Sequence, residues 1–298
     1  PMTKQKQNRV SIAGIAVALT VGAGVTAAGS SGSLEAGGMS VFAIAAVLAF
    51  VINWVVFVPS YRWRTEAYFD LTGSLTYVSV ITLSVLASDD LDTRALVVAG
   101  AVLIWAARLG SFLFRRVRSD GGDGRFDWIK TDFLRFLMTW TLQGLWVLLT
   151  LAAALAVITA EDRESIGAFL IVGMTLWLAG FVIEVVADRQ KSTFRADPAN
   201  EGRFITSGLW AWSRHPNYFG EIALWTGIAI AAIPVLSGWR WLMLISPVFV
   251  IVLLSRISGI PMLERRAHKR WGTDPEFRAY TDATPVLIPR PPRWRPRI

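Results

Sequence analysis

Long apolar stretches follow one another through most of this 298-residue chain. A helix of about 20 apolar residues matches the roughly 30 Å hydrocarbon core of a bilayer. Backbone polar groups in that core need partners inside the protein, which helices provide. The sequence therefore predicts an all-α, polytopic transmembrane bundle of seven or eight spans, of which the first is rich in glycine and alanine and is the marginal one. The eight stretches are 11–28, 41–58, 71–87, 95–114, 133–158, 166–186, 222–236 and 241–254.

The basic residues orient these spans. If both termini are cytoplasmic, 26 of the 30 lysines and arginines fall on cytoplasmic connections, including the long polar loop 188–212, when Arg135 in the first turn of the fifth span is counted with them. Cytoplasmic connections of membrane proteins carry such an excess. The first apolar stretch lacks a clear small-residue cleavage site, so we interpret it as a retained span. We expect an integral, multi-pass membrane protein in contact with the lipid bilayer.

The composition excludes several classes of function. The chain has no cysteine and two histidines, which rules out thiolate metal sites and a multi-histidine di-iron centre. It has no GxGxxG motif, so a soluble dinucleotide-binding domain is not supported. Although the net charge is +8, the basic residues are confined to certain connections. This distribution indicates membrane topology and gives no support to a nucleic-acid partner.

The most unusual polar stretch is 213–221, Ser-Arg-His-Pro-Asn-Tyr-Phe-Gly-Glu, at the entry to the seventh span. Pro216 suits the first turn of a helix, which places Asn217 and Glu221 on one helical face. Polar groups at this depth are costly unless they bind each other or a ligand. The alternative is an interfacial helix start whose polar side chains face water. Two further ionisable residues are Asp70, at the entry to the third span, and Arg108, within the fourth. A first-turn acid and a snorkelling arginine are the simpler interpretations.

Arginines of two neighbouring connections are predicted to converge on the cytoplasmic side. The guanidinium group binds phosphate oxygens in a bidentate manner. We therefore expect a cavity, open to the cytoplasmic side, that binds an anionic cofactor and a hydrophobic small molecule. These arginines are Arg189, Arg195, Arg203 and Arg214 on one connection, and Arg115, Arg116 and Arg125 on the other.

Residues 213–221 resemble a motif of the steroid 5α-reductase superfamily, in particular its bacterial branch. The similarity continues through Leu224-Trp225-Thr226-Gly227, then through 258–264, and then to Tyr280 and the Thr-Pro and Ile-Pro pairs at 284–285 and 288–289. The resemblance runs from about residue 70 to 289 and is specific from about residue 180 onward. It implies a single membrane domain over 1–298, with variable spans in 1–69, a reductase-like core in 70–289 and a basic tail in 290–298. It also implies a bacterial inner-membrane location.

The resemblance further implies NADPH-dependent reduction of a carbon–carbon double bond conjugated to a ketone in a steroid-like or other lipid substrate. Asp70 falls near the position of the family's catalytic glutamate, and Tyr218 is a second candidate acid. Glu184 takes the place of an asparagine in the family. The oligomeric state is not predicted. The cofactor-binding residues implied are Asn217, Glu221, Asp188, Arg195, Arg203, Glu184, His215, Arg214, Arg125, Arg256 and Arg108.

Two other functions remain open at this point. Membrane methyltransferases that use S-adenosylmethionine and modify isoprenylcysteine or phospholipid also carry Arg-His-Pro followed by Tyr, and they resemble residues 214–221 and 264–280. Against them, a single Glu264 precedes Arg265 and Arg266, where those enzymes tend to carry paired acids. The third possibility is a non-enzymatic sterol-binding or scaffold protein. Bound nucleotide distinguishes the three.

Overall fold

The computed structural model of the protein describes residues 3–89, 91–120, 126–164 and 166–292, with the side chains of 112–120 excepted. Within these ranges the secondary structure is almost entirely helical. The chain divides into two compact units. The first contains Pro1–Leu170 and Ala231–Ser246, and the second contains Ile171–Ile230 and Pro247–Ile298.

The first unit is a helical bundle with a small hairpin. The hairpin pairs β1 (Glu35–Ala36) with β2 (Met39–Ser40) in antiparallel register. Its two glycines, Gly37 and Gly38, have positive φ angles of 59° and 77°, as a tight turn requires. The helices of the unit are α1 (Lys4–Ser30), α2 (Val41–Arg62), α3 (Phe69–Leu86), α4 (Thr93–Asp120) and α5 (Phe133–Ile158).

Helix α5 is the centre of the first unit and packs against all four of its other helices. Every residue from Val147 to Ile158 is buried. At the end of α5, the buried Arg240 donates to the carbonyl oxygens of Gly32 (2.6 Å) and Ala156 (2.5 Å). Gly32 lies just after the end of α1, and Ala156 lies in the last turn of α5. Carbonyl oxygens at these positions have no hydrogen-bond partner within the helix. The guanidinium therefore ties the ends of α1 and α5 together.

The second unit contains most of α6 (Ala168–Ala196) and α7 (Pro216–Ala232), followed by shorter helices. A π-helical turn, Leu253–Ile257, links α8 (Ile245–Val252) to α9 (Ile260–Trp271). Helix α10 (Pro275–Ala283) follows. The 3₁₀ turns of the two units are Pro198–Asn200, Gly208–Ala211, Ile233–Val235 and Gly238–Leu244.

The prediction of a polytopic all-α protein is confirmed. Eight helical segments among the described residues are long and apolar enough to cross a membrane. The last one covers Gly238–Trp271 and changes from 3₁₀ to α to π geometry along its length, where the sequence predicts a single regular span. Pro247 lies in the first turn of α8, where the missing backbone N–H of proline is tolerated.

Three helices extend beyond their predicted ends. Helix α2 passes Pro59 and ends at Arg62, α4 runs to Asp120, and α6 continues ten residues past 186 to Ala196. Hydropathy marks where a helix leaves the apolar layer, whereas the helix itself needs only backbone hydrogen bonds and continues through polar residues. Consequently Asp188, Arg189 and Arg195 lie on α6, although the sequence places them in a loop.

Candidate functional site

Helices α6 and α7 approach each other closely at glycines. A Cβ atom built on Gly220 would lie 2.5 Å from the carbonyl oxygen of Gly180, and one on Gly180 would lie 2.5 Å from that of Gly220. Seven residues further along α7, a Cβ on Gly227 would lie 2.7 Å from the backbone nitrogen of Trp177. Small residues allow membrane helices to pack backbone against backbone in this way. This glycine crossing fixes the polar residues near the C-terminal end of α6 relative to those near the N-terminal end of α7.

The crossing places two acidic residues of α6 beside the first turns of α7. The backbone nitrogen of Glu184 is 2.7 Å from the Cβ position of Gly220, and Glu184 is buried. One turn further, Asn217 donates from Nδ2 to Oδ1 of Asp188 at 3.2 Å. The amide oxygen of Asn217 is buried and has no hydrogen-bond partner among the described residues. This oxygen is therefore available to accept a hydrogen bond from a ligand.

A second polar cluster joins α9 to the start of α7. Nη1 of Arg214 donates to Oε2 of Glu264 at 2.6 Å, and Nε2 of His215 lies 2.8 Å from Oε1 of the same carboxylate. The His215 ring stacks on Tyr218, with 5.7 Å between the centroids. Burial lowers the pKa of His215 below its ordinary value, and the hydrogen bond with Glu264 only partly opposes this. The imidazole is therefore neutral near pH 7.

Residues 285–290 form a strap along the loop that carries this cluster. The backbone N–H of Arg214 donates to the carbonyl oxygen of Pro285 at 2.9 Å. The hydroxyl of Ser213 donates to the carbonyl oxygen of Leu287 at 2.8 Å. The strap thus holds the backbone of the loop at Arg214, the residue whose guanidinium binds Glu264.

A cavity of about 300 Å³ opens beside the cluster, entirely within the second unit. Its described lining contains six basic side chains and one carboxylate, that of Glu264, so the lining charges sum to +5 with His215 neutral. Such a field favours an anionic ligand. The basic residues are Lys191, Arg195, Arg203, Arg214, Arg266 and Arg270.

Aromatic side chains also line the cavity, and we call them its aromatic wall. The ring centroid of Phe204 lies 5.1 Å from that of Phe277 and 5.8 Å from that of Tyr280. The Tyr280 hydroxyl donates to the carbonyl oxygen of Trp210 at 2.7 Å, and burial raises the pKa of this phenol. Nζ of Lys191 lies 4.3 Å from the ring centroid of Trp210. A flat, apolar ligand group with a phosphate attached suits a wall of this kind.

The profile of a family described as "Protein of unknown function (DUF1295)" matches residues 56–284, more than half of the chain. The chain belongs to the DUF1295 family. An uncharacterized protein of Schizosaccharomyces pombe is 23% identical to it over 230 residues, 66% of this chain and 64% of that protein. No solved structure matches the chain.

Two kinds of enzyme are distant relatives of this DUF1295 protein. The 3-oxo-5-alpha-steroid 4-dehydrogenase 1 of Rattus norvegicus is 29% identical over 130 residues, 44% of each chain. A probable O-methyltransferase, ustE, of Ustilaginoidea virens is 28% identical over 120 residues, 40% of each chain. The chain thus spans less than two thirds of the length of these relatives. The similarity suggests a membrane reductase-like or methyltransferase-like family, and it agrees with the superfamily resemblance in the sequence.

The structure brings four of the predicted binding residues of the DUF1295 protein together at the cavity. These four are Arg195, Arg203, Arg214 and His215. The predicted residues Asn217, Glu221, Asp188 and Glu184 lie instead along the α6–α7 crossing. Helix α7 begins at Pro216, so Asn217 and Glu221 lie one turn apart on it, as the sequence predicts.

Other predicted residues lie elsewhere. Asp70, in the first turn of α3, and Arg108, on α4, belong to the first unit. Arg256 lies in the π-helical turn of the second unit. Arg125 lies outside the described residues. Their proposed roles stay predictions.

The sequence analysis missed the contribution of α9. Glu264, Arg266 and Arg270 all line the cavity, together with Lys191 of α6 and Tyr280 of α10. The sequence carries a signal for the first three, because the cavity-lining positions 263, 264, 266, 267, 270 and 271 follow the spacing of one helical face. That signal is masked by the high charge of the segment, which is typical of an exposed connection.

Proposed function

We propose that this protein is an NADPH-dependent membrane reductase, which acts on a carbon–carbon double bond conjugated to a carbonyl in a steroid-like or other lipid substrate. The observation that carries the proposal is the charge of the cavity, six basic side chains and one carboxylate beside an aromatic wall. The distant similarity to a steroid 4-dehydrogenase supports the type of reaction.

The residues of the second unit fit a phosphorylated dinucleotide. Arginine forks bind phosphate oxygens in pairs, and Arg195, Arg203 and Arg214 all reach the cavity. The aromatic wall offers rings for a base. A cavity of about 300 Å³ accommodates the phosphate-bearing part of the cofactor and leaves the nicotinamide to lie elsewhere. We assign that end to the α6–α7 crossing.

Asn217 and Glu221 are the proposed partners of the nicotinamide carboxamide. They lie one turn apart on α7, and the buried amide oxygen of Asn217 lacks a partner among the described residues. The carboxamide N–H₂ is a donor for that oxygen and for the Glu221 carboxylate. Asp188 holds the Asn217 amide from the other side through its 3.2 Å hydrogen bond.

When bound, NADPH supplies the hydride. The protein orients the substrate, excludes water and donates a hydrogen bond to the substrate carbonyl, where negative charge develops. Asp70 is the proposed donor of that hydrogen bond, and Tyr218 is the alternative. The lipid substrate enters from the bilayer, which the eight spans adjoin. We place the cavity and both termini on the cytoplasmic side.

A methyltransferase is the second candidate, since a probable O-methyltransferase is among the relatives. The charge of the cavity distinguishes the two. S-Adenosylmethionine carries a sulfonium and an ammonium group against one carboxylate, so it has net positive charge. Six basic side chains repel such a ligand and attract the phosphates of NADPH.

The experiment measures binding of NADPH, NADH and S-adenosylmethionine to the purified protein in detergent, by nucleotide fluorescence and by calorimetry. We expect NADPH to bind more tightly than NADH, and Arg203→Ala to reduce this preference if Arg203 contacts the 2′-phosphate. Glu221→Gln is expected to weaken NADPH binding by about tenfold to a hundredfold, the value of a charged hydrogen bond. Asn217→Ala, which removes a neutral hydrogen bond, is expected to weaken it by about tenfold or less. Thermal melts of the same variants report folding.

A matched control is Glu161→Gln, which removes a carboxylate from the exposed turn after α5 in the first unit. It should leave NADPH affinity unchanged. Tight binding of S-adenosylmethionine with no binding of NADPH would establish the methyltransferase instead. Binding of neither nucleotide would favour a non-enzymatic lipid-binding protein.

A further inference from the structure

Glu264 is the only acid among the described residues that line the cavity. A carboxylate inside an anion-binding cavity opposes the ligand by its charge, so its presence requires a reason. The geometry supplies one, because both carboxylate oxygens are engaged by cavity residues. Oε2 accepts from Arg214 at 2.6 Å, and Oε1 lies 2.8 Å from Nε2 of His215.

The contact with Glu264 restricts the orientation of the Arg214 guanidinium. The group is a rigid fork of five N–H donors, so holding Nη1 restricts the directions in which the others point. The Arg214 side chain is 15% exposed, and its Nε is buried without a hydrogen-bond partner among the described residues. The N–H donors of Arg214 that do not bind Glu264 are the ones available to a ligand.

The same carboxylate determines the tautomer of His215. A carboxylate only accepts hydrogen bonds, so the neutral imidazole must carry its proton on Nε2. Nδ1 is then an acceptor, and it is buried without a partner among the described residues. Lys191 and Arg214, the other charged groups facing this ring, both disfavour a second proton.

We propose that Glu264 is a positioning residue of the anion site, which orients the Arg214 guanidinium toward the ligand and holds His215 as its Nε2–H tautomer. The identity of the ligand as NADPH rests on the proposed function. The positioning role itself requires only that the cavity binds an anion, so the two proposals are separable by choice of probe.

The test is a double-mutant cycle on the full-length protein in detergent. Affinities for NADPH and for inorganic pyrophosphate are measured for the wild type, Glu264→Gln, Arg214→Ala and the double variant. Removing a negative charge by itself strengthens binding of an anion. A fall in affinity therefore reports lost geometry, and we expect Glu264→Gln to weaken both probes about tenfold. In the Arg214→Ala background we expect the same change to have no such effect.

Glu276→Gln is the matched control. Glu276 lies in the first turn of α10, is exposed and does not line the cavity. The substitution removes the same charge from the same C-terminal helices. It should leave the affinity for both probes unchanged, which separates local geometry from a general change of the field.

Nitrogen NMR of the two histidines gives a readout that does not depend on a ligand. With His268→Gln to assign the signals, the wild type should show His215 protonated on Nε2. In Glu264→Gln the side-chain amide can donate to Nε2, so the population should shift toward the Nδ1–H tautomer. A purely structural role for Glu264 predicts no tautomer change in a variant that still folds.

Several outcomes overturn the proposal. Unchanged or tighter binding in Glu264→Gln would mean that the carboxylate does not position Arg214 for the ligand. The same loss in the Arg214→Ala background would mean that it acts by another route. A wild-type His215 protonated on Nδ1 would contradict the tautomer. Binding of pyrophosphate without NADPH would overturn the proposed cofactor alone, whereas binding of neither would overturn both proposals.

Discussion

Replacing Gly220 with alanine tests whether the glycine crossing sets the geometry of the site. The new methyl group would lie 2.5 Å from the carbonyl oxygen of Gly180 and 2.7 Å from the backbone nitrogen of Glu184. Both neighbours are backbone atoms, which cannot rotate away as a side chain does. Ordinary contact begins near 3.4 Å, so α6 and α7 must separate by about 1 Å at this point. Overpacking of this kind costs about 1–3 kcal/mol.

The control is Gly100→Ala on α4, where a Cβ would meet no atom within 4 Å. Alanine in an open helical position is about 1 kcal/mol more favourable than glycine. Gly220 is also inside a helix, so this gain applies to both variants, and the expected difference between their free energies of unfolding is the overpacking cost of about 1–3 kcal/mol. Thermal melts of both variants in detergent, without added ligand, measure it.

The separation should also reach the polar residues at the crossing. The hydrogen bond from Asn217 to Asp188 is already 3.2 Å long, and an added 1 Å would break it. Gly220→Ala should therefore weaken NADPH binding more than its loss of stability alone explains, and Gly100→Ala should not. If Gly220→Ala melts at the temperature of Gly100→Ala or above it, the close approach of the two backbones does not constrain the site.

Two further predictions concern acid sensitivity and topology. Burial lowers the pKa of His215, so the unfolded chain takes up a proton near pH 6.5 that the folded protein refuses, and stability should fall as the pH drops below about 6.5. His215→Gln should flatten the profile of melting temperature against pH between pH 7.5 and 5.5. The control, His268→Gln, changes an exposed histidine and should not flatten it. Equal profiles in the wild type and both variants would contradict a neutral, buried His215. Single cysteines at the exposed positions Ser31 and Ser192 should be labelled from opposite sides of the membrane, because α1 ends near the first and the basic segment contains the second. Labelling of both from one side would contradict the predicted arrangement of the spans.

The spans were predictable because hydropathy acts over whole segments. Eight stretches of the sequence correspond to eight helical segments, and the bilayer imposes both their length and their helicity. Hydropathy does not predict how far a helix continues outside the apolar layer. The last turns of α6 are polar, and for this reason Arg195 was placed in a loop.

The cavity was only partly predictable for a related reason. Arg214 belongs to the motif 213–221, and Arg203 lies on the arginine-bearing connection just before it, so the sequence analysis identifies both. Glu264 and Arg270 stand in a segment rich in charge, where a functional face and a solvated face look alike from composition. Their shared helical spacing is visible only once the helix is known to pack one face against the cavity. The pairing of Glu264 with Arg214, across 50 residues of sequence, has no local signal at all.

The strap has a consequence for how the protein is made. Ser213 and Leu287, which it joins, are 74 residues apart in the sequence. At about 5–20 residues per second, roughly 4–15 s separate the synthesis of the loop from the synthesis of the strap. During that interval the loop of Arg214 lacks the partners that hold its backbone, and Glu264 itself is made only part-way through it. The loop therefore gains these contacts late, after the spans have been translated, and a ribosome stalled before residue 285 carries a chain in which the strap does not yet hold the loop.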